Sequence, residues 1–219
     1  MTYDGQSPTD KKKYLELDLS YIKERWDNRA ERWDIDLLDQ NSHFNRLNSY
    51  KRFLDILDSI FNSLNNFHYE YFLDLACGTG VLLEKYSSLF RNSVGVDLSD
   101  KMLAKAGEKK LINTTLVQKD CFHFFTDEQK YNFIASRGVL ISHYGIDNSL
   151  RLLSSIYNAL DKDGIIFLDA LNVENKDNPK EKTLYSTNQL YELFRQSGFS
   201  KIKIYEEDKY PLLYVEAQK

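Results

Sequence analysis

The chain has 219 residues, enough for one α/β-sized domain with a modest appendage and too few for a multidomain assembly. With 42% hydrophobic and 14% aromatic residues it can fill a core, which excludes wholesale disorder. Its 29 basic and 33 acidic residues leave a net charge of −4, so there is no global attraction for phosphate backbones and nucleic acid is disfavoured as a partner.

Residues 1–13 are polar and end in three lysines, without the apolar stretch or cleavage pattern of a secretory signal. Apolar runs further on, such as 164–168, are far shorter than the roughly 20 residues of a spanning helix. The expectation is a cytoplasmic protein with no membrane partner. Two amphipathic helical pieces follow, around 14–32 and 45–64. They do not make a core of their own, so residues 1–66 are expected to form a helical cap or lid on the domain at 67–219.

Residues 71–76 read as a buried strand that ends in a turn with two of the chain's nine glycines, Gly78 and Gly80. Residues 81–90 then show helical spacing of apolar positions. Strand, glycine turn and helix open a βαβ unit, and the alternation repeats: strand 93–98, helix 100–110, strand 115–119. After a loop at 123–130 come strand 131–136, helix 149–160 and strand 164–171, the last opened by the turn at 161–164. A polar insert at 172–186, carrying Pro179, is a second candidate lid. Residues 187–196 read as a helix stopped by Gly198, and 201–205 with 212–217 read as an antiparallel pair around Pro211. This order predicts an α/β fold: a doubly wound, seven-stranded, mostly parallel sheet with an antiparallel C-terminal strand pair.

The local sequence Leu73-Asp-Leu-Ala-Cys-Gly-Thr-Gly80 lets a ligand approach the backbone, because the glycines carry no Cβ. It lacks the GxGxxG spacing, since position 83 is leucine, which counts against a nicotinamide dinucleotide and favours a nucleoside without that diphosphate. Asp97 ends the second strand 19 positions after Gly78, where a carboxylate accepts hydrogen bonds from ribose hydroxyls. Its alternative use is to cap the helix beginning near Asp100, a task Ser99 can also perform.

Together, Asp74-Leu-Ala-Cys-Gly-Thr-Gly80, Gly95-Val-Asp-Leu-Ser-Asp-Lys-Met102 and Gln118-Lys-Asp120-Cys-Phe resemble the successive cofactor motifs of class I S-adenosylmethionine-dependent methyltransferases of the small-molecule type. The resemblance spans about residues 70–219, and Trp26-Asp-Asn-Arg-Ala-Glu-Arg-Trp33 is similar to the N-terminal helix of many such enzymes. It implies S-adenosylmethionine as cofactor and S-adenosylhomocysteine as product. Gly78 and Gly80 are then expected under the methionine part, Asp74 at its amino group and Asp97 on the ribose. Leu98 and Met102 are expected to flank the adenine, with Asp120 on its exocyclic amine and Cys121 and Phe122 at the ring edge. Ala76, Thr79, Ser136, Trp26, Arg29 and Trp33 complete the cofactor set implied. In the family order the first and third strands are not neighbours, so Cys77 and Cys121 are expected as separate reduced thiols.

The segment from Ile134 to Gly145 follows the fourth strand, where the resemblance puts the methyl acceptor. Arg137 is a candidate for binding an anion or an acid, His143 for a general base, and Tyr144 for an aromatic wall with Trp26, Trp33, Tyr14 and Tyr21. With two cysteines and no CxxC or HExxH, no metal is expected. The fourth strand lacks an Asn/Asp-Pro-Pro-Tyr/Phe ending and the chain lacks a Pro-Cys nucleophile, which moves the acceptor away from DNA bases and toward oxygen or nitrogen of a small metabolite. The competing readings are an RNA or protein methyltransferase, for which lysines at 11–13 and 176–182 would be the contact strip, and a non-catalytic cofactor-binding regulatory subunit.

Overall fold

The computed structural model describes residues 16–38, 46–126, 128–138, 140–174, 182–206 and 212–219. Tyr14, Pro179, Pro211, the lysines at 11–13 and most of the 176–182 strip lie outside the described residues. The N-terminal region holds α1 (Leu19–Asp27), a 3-10 turn (Ala30–Arg32), α2 (Trp33–Leu38) and α3 (Arg46–Ser63). The carboxylate of Asp18 starts α1 by accepting from the Tyr21 amide at 3.0 Å.

The sheet comprises β1 (Tyr71–Leu75), β2 (Asn92–Asp97), β3 (Thr114–Gln118), β4 (Tyr131–Ser136), β5 (Leu160–Leu171), β6 (Lys201–Glu206) and β7 (Leu212–Gln218), in the order β3-β2-β1-β4-β5-β7-β6. Strands β3, β2, β1, β4 and β5 pair in parallel, and β7 runs antiparallel to both β5 and β6. This is the expected doubly wound, mostly parallel sheet with an antiparallel C-terminal strand pair. All six residues of β4 are buried, as a strand covered on both faces requires. The chain leaves β1 toward β2 and returns on its other side at β4, so the switch point lies between β1 and β4, where open α/β sheets bind ligands. β2 stands between β1 and β3, and both cysteines are free and buried.

The connecting helices are α4 (Val81–Tyr86), α5 (Asp100–Gly107), α6 (Leu140–His143), α7 (Ile146–Ala159) and α8 (Thr187–Gln196). On one face, Leu152, Leu153 and Ile156 of α7 and Leu190 and Phe194 of α8 pack on Leu73, Ile134 and Ile166. On the other, Phe53, Leu57 and Phe61 of α3 and Leu82 and Leu83 of α4 pack on Phe72, Phe133 and Phe167. The Phe53 and Phe167 rings are 4.6 Å apart and those of Phe61 and Phe133 4.7 Å. Each such burial contributes about 1.5–3 kcal/mol.

Three elements differ from the sequence expectation. α3 is a core helix of the sheet's second face, whereas α1 and α2 lie over the ends of the strands. α7 begins at Ile146 rather than 149, with Gly145 as its N-cap, and the Ser149 hydroxyl donates to the Ile141 carbonyl at 3.0 Å. β5 begins at Leu160: Leu160 pairs with Tyr131 and the next pairing is Ile165 with Phe133, so the predicted turn at 161–164 bulges out of one continuous strand.

Candidate functional site

The turn after β1 places Ala76, Gly78 and Gly80 in the left-handed region, with φ of 58°, 54° and 74°. Alternating left-handed residues fold the chain tightly over the end of β1, and the Gly80 amide closes the turn on the Cys77 carbonyl at 2.9 Å. A Cβ on Gly78 would lie 3.6 Å from Trp33 Nε1, so α2 sits directly over this turn. The turn is tied sideways to β2. Asp97 Oδ2 accepts from the Gly78 amide at 2.8 Å, and Oδ1 from the Ser99 amide at 2.9 Å. Ser99 is the cap of α5, its hydroxyl oxygen accepting from the Met102 amide at 3.0 Å, which leaves Asp97 out of the capping task. One carboxylate therefore fixes two turns at the mouth of the sheet.

Asp74 and Asp97 are both buried, at 1% and 9% exposure. Burial, with Asp97 as a like charge nearby, pushes Asp74 up to about 8. Burial also pushes Asp97 up, to about 6, against the pull of the amides it accepts from. Asp74 Oδ2 is buried and has no hydrogen-bond partner among the described residues. An acid so placed on a pocket wall fits a ligand that brings a cationic or donor group.

The pocket lies over these strand ends. Leu19, Ile22, Trp26 and Trp33 roof it, Asp74, Ala76, Gly78, Asp97, Leu98 and Met102 line one side, and Asp120 and Cys121 stand beyond β3. Arg137, Gly138, Leu140, His143 and Tyr144 form the end next to β4. Asp120 Oδ1 gathers the Phe122 amide, the His123 amide and the His123 ring at 3.0, 3.1 and 2.8 Å, and none of these bonds uses Oδ2. The roof is T-stacked, Trp26 on Trp33 at 5.3 Å and Trp26 on His143 at 5.8 Å.

Five residues of the sequence-derived set stand behind the lining. The Ser136 hydroxyl donates to the Leu75 carbonyl at 2.8 Å and joins β4 to β1. Thr79 is buried and donates to Asp34 of α2. Gly80 precedes α4 and packs on Ala106, Phe122 packs edge-on against Tyr144 at 4.8 Å, and Arg29 lies over the Trp26 ring at 5.3 Å. Conversely, Lys119, Leu19, Ile22 and Leu140 line the pocket with no motif to announce them. Lys119 is one residue before Asp120, and the only sequence signal available was that adjacency.

At the β4 end, the Arg137 guanidinium lies 4.8 Å over the Tyr50 ring of α3. His143 is buried, and burial, reinforced by the charges of Lys182, Arg25 and Arg29, holds its ring well below the ordinary histidine range. The ring is therefore neutral at physiological pH. Tyr144 OH stands 4.0 Å from Cys121 Sγ, whose thiol burial pushes up to about 12.

With this geometry in hand, residues 72–164, from β1 to the start of β5, match the sequence model described as a methyltransferase domain. Over this span, less than half of its length, the chain is similar to methyltransferase domains. The matched span includes Asp74, Gly78, Asp97, Asp120, Arg137 and His143, while the roof of the pocket, α1 and α2, lies outside it. No curated protein sequence matches the chain. Among solved structures it resembles the magnesium protoporphyrin IX methyltransferase ChlM from Synechocystis PCC 6803 with bound SAH, at 15% identity and TM-score 0.72 over 92% of this chain and 99% of that one. It also resembles DhpI in its SAM-HEP complex, at 19% identity and TM-score 0.72 over the full length of both. An S-adenosylmethionine-dependent methyltransferase from Mesorhizobium loti aligns at 16% identity and TM-score 0.62 over 74% and 96%. At these identities the likeness is one of fold.

Proposed function

We propose that this methyltransferase domain transfers a methyl group from S-adenosylmethionine to an oxygen or nitrogen of a small molecule. The observation that carries the reading is the buried Asp74 Oδ2, without a partner among the described residues, beside a left-handed glycine turn that Asp97 ties to β2. These residues fit the cofactor: Gly78 leaves room over the backbone, Asp74 would orient the amino group, Asp97 the ribose, and Asp120 the adenine, with Leu98 and Met102 at its faces. S-adenosylmethionine supplies an already activated methyl, so the chain's part is chiefly to align donor and acceptor and to exclude water. The aromatic roof of Trp26 and Trp33 serves exclusion, and His143 at the β4 end would be the group to take a proton from the acceptor, against the burial and the cations that disfavour its charged form. A small acceptor fits a site roofed by α1 and α2, and the full-length likeness to the DhpI complex supports it.

The test is calorimetric titration with S-adenosylhomocysteine. Asp97→Ala is expected to weaken binding by about 1–3 kcal/mol, the cost of losing hydrogen bonds to a charged acceptor. Unchanged affinity would remove the ribose assignment, and no binding by the unaltered protein would remove the reading itself.

A further inference from the structure

Strand β3 delivers Asp120 to the pocket beside Asp97. Asp97 pairs with Gln118 across the sheet, and the Lys119 amide donates to the Asp97 carbonyl at 3.0 Å, which carries the pairing one residue past the strand. The chain then turns at Asp120 and is held from both sides. Inside, Cys121 is buried with its Sγ 4.0 Å from the Tyr144 hydroxyl. Phe122 packs edge-on against Tyr144 at 4.8 Å, with the Arg151 guanidinium 5.8 Å over its ring. At the rim, Asp120 Oδ1 collects three donors: the Phe122 amide at 3.0 Å, the His123 amide at 3.1 Å and His123 Nδ1 at 2.8 Å. A carboxylate has no proton to offer, so Nδ1 carries the hydrogen and donates it. A carboxylate oxygen has about two lone pairs, so these donors leave Oδ1 nothing for a ligand. Oδ2 takes part in none of the three bonds, and the side chain lines the pocket.

The two amides come with the turn whatever residue stands at 123. The ring bond alone depends on that side chain, and it is the shortest of the three. Without it the carboxylate is freer to rotate about its last torsion, which is broad and two-fold. Resting on the methyltransferase reading, with its adenine at Asp120, we propose that His123 is a positioning residue for cofactor recognition. By filling Oδ1 it reserves Oδ2 for the exocyclic amine, and so makes the site selective for adenine over a purine with an oxygen at that place. The amine donates to Oδ2. A carbonyl oxygen there meets a lone pair with no proton between, and a carboxylate locked in its plane cannot turn away to relieve the repulsion. His123 itself touches no ligand and acts through Asp120.

The test is calorimetric titration with S-adenosylhomocysteine and with S-inosylhomocysteine, in which a carbonyl oxygen replaces the amine. The proteins are the unaltered chain, His123→Ala and His123→Asn. The His123 side chain is 66% exposed, so neither substitution opens the core. The unaltered protein is expected to prefer S-adenosylhomocysteine by about tenfold or more, and His123→Ala to lose about fivefold of that preference, on the scale of one hydrogen bond to a charged acceptor. His123→Asn, which returns an N–H donor close to the place of Nδ1, is expected to restore most of it. A merely structural role for the ring would weaken both molecules in proportion and leave their ratio in place. An unchanged ratio in His123→Ala, a loss that His123→Asn does not restore, or equal binding of the two molecules by the unaltered protein overturns the proposal. Failure of S-adenosylhomocysteine to bind at all overturns the methyltransferase reading instead, so the two failures are distinct.

Discussion

Asp74 is the residue at which burial and chemistry pull hardest against each other. Its carboxyl is held up to about 8, so below that pH the unliganded site keeps a proton that a free carboxyl would have lost. A cationic group arriving beside Oδ2 favours the ionised form and expels that proton. Affinity for S-adenosylhomocysteine is therefore expected to rise with pH between about 6 and 8, approaching tenfold per unit if one proton leaves. Titrations in buffers of different ionisation heat will show proton release, and Asp74→Asn is expected to abolish most of it. The same group gives the sign for folding without ligand. The folded state holds the proton more tightly than the unfolded chain does, so its contribution is complete below about 4 and is lost as pH rises toward about 8.

At the scale of elements, α1 and α2 are held to the sheet by polar contacts on the very turns that line the pocket. Asp27 accepts from the Ser99 hydroxyl at 2.5 Å, Lys23 bridges Asp27 and Asp100, and Asp34 meets both Thr79 and Lys109. Partly exposed ion pairs of this kind stabilise little, but here they hold α1 and α2 over the pocket. Asp27→Ala together with Asp34→Ala is expected to speed S-adenosylhomocysteine release severalfold, with little change in the urea midpoint, in stopped-flow tryptophan fluorescence from Trp26 and Trp33. The joint between β2 and its neighbours is of the opposite kind, because it has no slack. A Cβ on Gly95 would fall 2.5 Å from Leu83 Cδ1, 3.0 Å from Leu116 Cδ2 and 3.1 Å from Cys77 Sγ. Gly95→Ala is expected to destabilise the protein by about 1–3 kcal/mol in urea unfolding, the cost of overpacking.

For the whole molecule, two apolar layers grip a sheet whose parallel strands β1, β2, β3 and β4 end at one pocket. A ligand seated there would meet residues of α1, α2, α4, α5 and α6, so its binding energy adds to global stability. At a concentration 100 times its Kd, S-adenosylhomocysteine is expected to add about 2.7 kcal/mol, or roughly 5–10 °C in melting temperature for a domain of this size. A scan without any shift would count against the site. The antiparallel end of the sheet lies away from the pocket, and its edge strand β6 carries Lys201 and Lys203, charges that discourage pairing with another chain.

The sequence by itself determined the strand and helix order, the glycine turn, and the acids at 74, 97 and 120, because period, turn chemistry and motif spacing are local properties of the chain. It did not reveal that α3 belongs to the core, since an amphipathic helix shows an apolar stripe without saying what covers it. Nor did it distinguish Ser136, bonded to the Leu75 carbonyl, from the residues that line the pocket. The placing of Lys182 against His143, 39 positions earlier, was decided by tertiary structure alone. A strap's course over the sheet is set by hydrogen bonds to backbone atoms, and these leave no pattern in the order of side chains.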